Sequence, residues 1–116
     1  MIFHPTAVQG AWLIETERHV DERGWFARSF CTEEFEAKGL DSRIAQCNIS
    51  FNRRRHTLRG LHAQAPPHAE AKLVRCTRGR LWDVVLDLRP DSPTFLRHFG
   101  VELAEGEPRL LYIPPG

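Results

Sequence analysis

The sequence lacks a long apolar run, since no stretch approaches the roughly 20 residues that a membrane-spanning helix requires. Met1–Glu15 also lacks a basic segment followed by an apolar stretch, so no secretory signal peptide is expected. Net charge is nearly absent at +1, which leaves no overall field to attract nucleic acid or a membrane surface. These absences predict a cytoplasmic protein that binds neither, and any anion site must be local.

Cysteine is scarce. Cys31, Cys47 and Cys76 are odd in number and far apart, which argues against a disulfide framework and a zinc site. We interpret them as reduced core thiols, as expected in the cytoplasm.

Apolar residues make up 41% and charged residues 27%, as in ordinary folded proteins. We therefore predict a single domain over residues 1–116.

Short alternating segments separated by turn signals predict an antiparallel all-β sandwich or barrel with one short helix. The helix is predicted at Thr32–Gly39, with Thr32 as its cap and Gly39 closing it. The turn Asp21–Gly24 separates the first two predicted strands. The predicted strands are Ala7–Glu15, Trp25–Cys31, Ile44–Phe51, Leu58–Gln64, Ala71–Cys76, Arg80–Leu88, Phe95–Leu103 and Arg109–Ile113.

One predicted strand, Ile44–Phe51, has an apolar face and a mainly polar face that carries Gln46, Asn48 and Ser50. The polar face could meet solvent, or it could line the interior of a barrel that holds a polar ligand. Periodicity does not choose between these interpretations.

The densest set of chemically useful side chains lies between Gln46 and Lys72. Strict alternation would place Arg59 and His62 on opposite faces, and Gly60 is the residue that permits a bend between them. A neutral imidazole at His62 suits proton abstraction beside a carbonyl. Lys72 could stabilise the charge of the resulting enolate. Alternatively, His62 is a packed histidine and Lys72 a surface lysine.

Three other ligand classes have candidate residues in the sequence. Arg23 and Arg59 could grip a diphosphate, because guanidinium groups match phosphate oxygens. The only basic run, Arg53–His56, has no interleaved aromatic residues and is weak evidence for nucleic-acid binding. A metal site is also conceivable from nearby ligand types, although Gln is a poor transition-metal ligand. Its candidate members are His62, Gln64, His68 and Glu70.

Taken in order, fragments along nearly the whole chain resemble the dTDP-4-dehydrorhamnose 3,5-epimerase family. They are Asp21–Phe26, Gln46–Ser50, Leu58–Gln64, Ala71–Arg75, Gly79, Asp83–Arg89, Ser92–Thr94 and Tyr112–Gly116. The resemblance implies a cupin-type antiparallel β-barrel or jelly roll, usually a homodimer, with its site inside the barrel. It also implies an enzyme without a metal or other cofactor.

Family roles carry over to matching positions. His62 would remove the protons at C3 and C5, both alpha to the C4 ketone, and Lys72 would lie beside the enolate. Arg23, Gln46, Asn48 and Arg59 would bind the dTDP-sugar. Asp83 matches a recurrent aspartate to which no role is assigned. The implied reaction converts dTDP-4-dehydro-6-deoxy-glucose to dTDP-4-dehydro-rhamnose.

Two departures qualify the resemblance. Arg28 stands where the family often has a substrate-binding glutamate, which reverses the hydrogen-bonding capacity of that position. The chain also stops at Gly116, before the family segments with the tyrosine acid and the acidic partner of the base, and Tyr112 does not inherit the acid role. An incomplete barrel with unpaired edges is therefore expected. A non-catalytic nucleotide-sugar binding fragment and a metal-dependent cupin enzyme remain alternatives.

Overall fold

Antiparallel pairing organises the regular structure, as the alternating sequence predicts. A computed structural model describes residues 1–116, and β1, β2, β8 and β5 form a four-stranded sheet in that order. Two separate hairpins, β3–β4 and β6–β7, complete the architecture. The elements are β1 (Ile2–Pro5), β2 (Trp12–Glu15), β3 (Arg18–Asp21), β4 (Gly24–Ala27), α1 (Thr32–Glu36), β5 (Lys72–Val74), β6 (Arg80–Leu86), β7 (His98–Ala104) and β8 (Arg109–Ile113). The predicted all-β class with one short helix is confirmed.

The central strand β8 is buried on both faces, because alternate side chains pack into different clusters. Leu110 and Tyr112 join Ile14 and Phe35 on the face that α1 covers. Leu111 packs on the other face with Val101 and Leu103 of β7. The four-stranded sheet therefore lies between the helix and the β6–β7 hairpin.

Phe35 anchors the helix. Its ring centroid lies 4.9 Å from Phe30, 5.7 Å from Phe3 and 5.9 Å from Tyr112. The predicted cap at Thr32 is wrong, because the N-cap is Cys31 in extended backbone and no side chain caps the helix. The helix ends at Glu36, before the predicted end at Gly39, and Gly39 instead closes the turn that follows, where its φ is 69°.

Two predicted strands, Ile44–Phe51 and Leu58–Gln64, are wrong. We call residues 41–71 the connecting segment, and it contains no helix or strand. Its alternation is typical of a strand, but no neighbouring strand accepts or donates its backbone hydrogen bonds. Its apolar side chains are consequently exposed, and Ile49 reaches 93%.

Boundaries differ at other elements too. The predicted first strand, Ala7–Glu15, is shortened to β2, because a turn occupies Thr6–Ala11, and β1 and β3 were not predicted. The second predicted strand is shorter, ending at Ala27. The turn before it is confirmed, with Asp21 paired to Gly24 across the β3–β4 hairpin.

The interpretation of the cysteines as core thiols is wrong for Cys47, whereas Cys76 packs against the core cluster around Leu111. All three are free, but Cys31 and Cys76 are half-buried and Cys47 is exposed. Cys47 is exposed because it lies in the connecting segment, which has no partner to cover it. As to membranes, the helix of this chain is too short to cross a bilayer.

A buried carboxylate ties two parts of the chain together, and we call this group the Asp87 cluster. Asp87 is 1% exposed and accepts hydrogen bonds from Arg89, Ser92 and Thr94. Arg89 in turn donates to the backbone oxygen of Gln9 at 2.6 Å. The cluster therefore joins the β6–β7 loop to the turn before β2.

Candidate active site

Lys72 faces the interior between the four-stranded sheet and the β6–β7 hairpin. It shares one face of β5 with Val74, which packs on the cluster that includes Leu111. The Lys72 side chain is 37% exposed, and its ammonium lies 3.2 Å from a carboxylate oxygen of Glu70. The predicted face of Lys72, with Leu73 opposite, is confirmed.

Asp83 lies across the interior on β6, between Leu81 and Val85 on the same face. One of its carboxylate oxygens is buried without a hydrogen-bond partner. Burial raises the pKa of Asp83, while the Val84 amide and the positive charge of Lys72 lower it. The interior thus holds a carboxylate whose pKa is lowered by the charge of Lys72.

His62 lies in the connecting segment, and its imidazole is exposed. The backbone turns at Gly60, where φ is 111°, as the sequence predicts. A β-carbon at position 60 would lie 3.7 Å from Nδ1 of His62, so the ring folds back over the glycine. No hydrogen bond joins His62 to Lys72 or Asn48, and the expected shared cavity is not assembled by these residues.

The predicted substrate-binding side chains are all exposed. Gln46 and Asn48 are hydrogen-bonded to each other at 3.4 Å, consistent with their predicted common face. Arg59 donates to Asn52 at 2.7 Å. Arg23 pairs with Asp21 at 2.5 Å in the β3–β4 turn, where its side chain is 85% exposed. The structure therefore brings Gln46 to Asn48 but does not unite them with either arginine.

Arg28 already has an anionic partner. Its guanidinium lies 2.8 Å from Glu34, and this contact raises the pKa of Arg28. Both side chains line a cavity of about 180 Å³ near the N-terminal amine. An arginine at this position is thus accommodated by a local carboxylate, which a glutamate there would repel.

A metal centre finds no geometric support. No three His, Cys, Asp or Glu side chains are grouped closely enough to hold a metal ion. The sequence candidates His62, His68 and Glu70 do not converge, because the connecting segment that carries them is unpaired.

Sequence reasoning missed the surroundings of two carboxylates. Alternation with Leu81 and Val85 places Asp83 on the inner face of β6, but it does not show that one carboxylate oxygen lacks a partner. Asp87 was part of a resembling fragment, but its hydrogen bonds to Ser92 and Thr94 were not predicted. The spacing of one acid before two hydroxyl residues could have indicated a local cluster.

Comparison with known proteins gives consistent matches. A family model described as dTDP-4-dehydrorhamnose 3,5-epimerase matches residues 5–116. The dTDP-4-dehydrorhamnose 3,5-epimerase of Sinorhizobium fredii is 37% identical over 116 residues, which are 100% of this chain and 60% of the relative. This chain therefore spans 60% of the length of that relative.

Solved structures agree. The structure of the dTDP-4-dehydrorhamnose 3,5-epimerase of Elizabethkingia anophelis matches with a TM-score of 0.95 and 40% sequence identity. The match covers 100% of this chain and 63% of the Elizabethkingia chain. The Bacillus anthracis enzyme, solved with TDP and PPi bound, has a TM-score of 0.93 and 36% identity, covering 99% and 66% respectively. These likenesses confirm the cupin-type fold.

Proposed function

The chain belongs to the dTDP-4-dehydrorhamnose 3,5-epimerase family, and on that basis we propose that it acts on a dTDP-linked 4-keto-6-deoxy sugar. The reaction is epimerisation at C3 and C5, converting dTDP-4-dehydro-6-deoxy-glucose to dTDP-4-dehydro-rhamnose. The match over residues 5–116, which includes every proposed site residue, carries this proposal. We place the reaction in the cytoplasm.

The proposed chemistry uses His62 as the base. Its imidazole removes a proton alpha to the C4 ketone, and the electron pair moves into an enolate. Lys72 stabilises the oxygen charge of that enolate. The interior position of Lys72 supports this role, because a half-buried ammonium acts more strongly on a developing charge than one in bulk water.

The nucleotide-sugar is proposed to bind through Arg23, Arg59, Gln46 and Asn48. The guanidinium groups suit the diphosphate, and the amides suit hydroxyl and carbonyl groups. In the structure Arg23 pairs only with Asp21, and Arg59 contacts Asn52 and the Phe51 carbonyl oxygen. Both arginines are exposed at the surface, where an incoming diphosphate can reach them.

Assembly of the site requires the connecting segment to gain a neighbouring strand. Such a strand, from a second copy or from further sequence of the family domain, would satisfy its backbone and bury its apolar face. The exposed side chains of Ile49, Phe51 and Leu61 support this step. Because Gly60 supplies the turn, His62 could then face inward.

We further propose a homodimer, supported by the β3–β4 hairpin. This hairpin pairs with no other strand, and Val20 and Phe26 are 75% and 71% exposed. A lone two-stranded hairpin is marginally stable in water, so a second copy packed on it would stabilise it. Phe26→Ser should lower the dimer fraction in sedimentation velocity, whereas Leu96→Ser, at another exposed apolar residue, should not. A parent chain that sediments only as a monomer would refute the dimer.

The experiment for the activity is incubation of the chain with the 4-keto sugar nucleotide in deuterated water. We expect deuterium at C3 and C5 of the sugar, detected by NMR. Exchange without inversion would mean that the base acts and no acid returns a proton to the opposite face. Binding of the nucleotide-sugar without any exchange would refute the enzymatic proposal.

The second candidate, a non-catalytic nucleotide-sugar binding module, is favoured by one observation. His62 is exposed and forms no hydrogen bond, whereas the binding amides Gln46 and Asn48 are already neighbours. Binding without exchange in the same experiment would select this module.

A further inference from the structure

The inner face of β6 carries a single carboxylate between apolar neighbours. Leu81 packs on the cluster around Leu111, and Val85 belongs to the cluster with Val8 and Ala11. Asp83 lies between them in sequence on the same face, opposite Val101 of β7. Its buried oxygen is the one buried side-chain polar atom of this structure without a hydrogen-bond partner.

Lys72 of the facing sheet is the cation whose charge lowers the pKa of Asp83. The ammonium of Lys72 is instead held by Glu70, whose side chain is 48% exposed. Lys72 therefore interacts with a carboxylate at the surface and with an inner carboxylate that has one unpartnered oxygen.

We propose that Asp83 is a positioning residue for Lys72. During turnover, the Asp83 carboxylate draws the Lys72 ammonium away from Glu70. It then holds the ammonium in the interior, beside the oxygen of the reacting ketone. This inference rests on the proposed function, because it assigns Lys72 to the enolate oxygen. It extends that function by naming the group that places the ammonium.

The cost in stability of a charge at Asp83 indicates that this carboxylate has a functional role. A buried charge without a hydrogen bond destabilises the folded state, and buried polar groups are normally paired. An amide at this position would remove the charge without creating a cavity. A residue that lowers stability where a neutral one of equal size would fit is typical of a functional site.

A titration of Asp83 tests the interaction directly and needs no activity. The carboxyl carbon of Asp83 is followed by NMR across pH in the parent chain and in Lys72→Gln. Removing the cation should raise the pKa of Asp83 further above its ordinary value, because Lys72 lowers it now. Glu102→Gln, on the outer face of the β6–β7 hairpin, is the matched control and should leave that pKa unchanged. An Asp83 titration that is the same in the parent and in Lys72→Gln would overturn the proposal.

Turnover provides the second test. Loss of an oxyanion donor itself costs about 100-fold or more, so loss of the residue that holds it should lower kcat for deuterium exchange about tenfold in Asp83→Asn. KM should change little, and the thermal midpoint should rise because the unpaired charge is gone. Glu102→Gln should retain the parent rate.

The outcomes separate the two proposals. A parental kcat in Asp83→Asn, or a lower thermal midpoint accompanying a lost rate, would overturn the positioning role. If the parent chain shows no exchange, the proposed function fails, and the Asp83 titration alone decides whether the two side chains pair.

Discussion

Replacing Asp87 with asparagine should destabilise the fold strongly, because the Asp87 cluster depends on a charged acceptor. In the parent chain one carboxylate oxygen accepts from Nε of Arg89 at 2.8 Å and from its backbone amide at 3.0 Å. The other accepts from Ser92 at 2.5 Å, Thr94 at 2.6 Å and Nη2 of Arg89 at 2.8 Å. Asparagine can keep the first oxygen but turns the second into a donor.

The expected loss follows from these bonds. Three donors lose their acceptor, and a hydrogen bond to a charged group contributes about 1.5–3 kcal/mol. The two hydroxyl groups can rotate to accept from the new amide, and the Arg89 side chain is 31% exposed and can reach water. We therefore expect a decrease of about 3 kcal/mol in the free energy of unfolding, or roughly 12 °C in Tm for a chain of this size.

Urea unfolding at neutral pH measures this loss, and Asp91→Asn is the matched control. Asp91 is an exposed acid in the same loop, so its replacement should change stability by less than about 0.5 kcal/mol. A loss below about 1 kcal/mol in Asp87→Asn would refute the argument that the charged acceptor holds the cluster together.

The contribution of Asp87 to folding stability should decrease as the pH falls. Hydrogen bonds from Arg89, Ser92 and Thr94 hold the pKa of Asp87 well below its ordinary value. Its contribution is therefore present above the unfolded pKa of about 3.9 and is lost as pH falls toward the lower folded value. Asp87→Asn should remove this part of the acid sensitivity. Unfolding midpoints that fall equally in both proteins below that pH would contradict the assignment.

Three further perturbations test other parts of the account. Phe35→Ala empties the aromatic cluster under α1, where Phe35 is 1% exposed, and should lower the free energy of unfolding by about 3–5 kcal/mol in urea. Gly79→Ala places a side chain at a φ of 76° with nothing within 4 Å, so only backbone strain of about 1–2 kcal/mol is expected, and an unchanged Tm would contradict this. Burial raises the pKa of Asp83, so its stabilising contribution is full below the unfolded pKa of about 3.9 and is lost as pH rises through the folded value. Asp83→Asn should abolish that loss, and a pH profile of stability identical to the parent's would refute it.

Sequence alone predicts the elements whose partners lie close in the chain. The β6–β7 hairpin is foreseeable because alternating segments flank a turn, and β8 matches its predicted bounds, Arg109–Ile113. The helix is foreseeable from its acidic first turn and Gly39. Ile44–Phe51 has an equally clear alternation and forms no strand, since strand formation depends on a neighbour that periodicity does not describe.

The candidate site is also predicted only in part from the sequence. Alternation places Lys72 on the inner face with Val74, and the structure confirms it. The surroundings of His62 depend on how the connecting segment is covered, which its own residues do not specify. The missing partner of Asp83 is a property of the facing sheet, so no local pattern in β6 could reveal it.

The most direct test of the central claim is the loss of solvent deuterium exchange in His62→Ala. His68→Ala is the control, because His68 is an exposed histidine of the same connecting segment. The account predicts that exchange at C3 and C5 disappears in His62→Ala and continues at the parent rate in His68→Ala. Exchange that persists in His62→Ala, in protein that still binds the nucleotide-sugar, would contradict the assignment of this imidazole as the base.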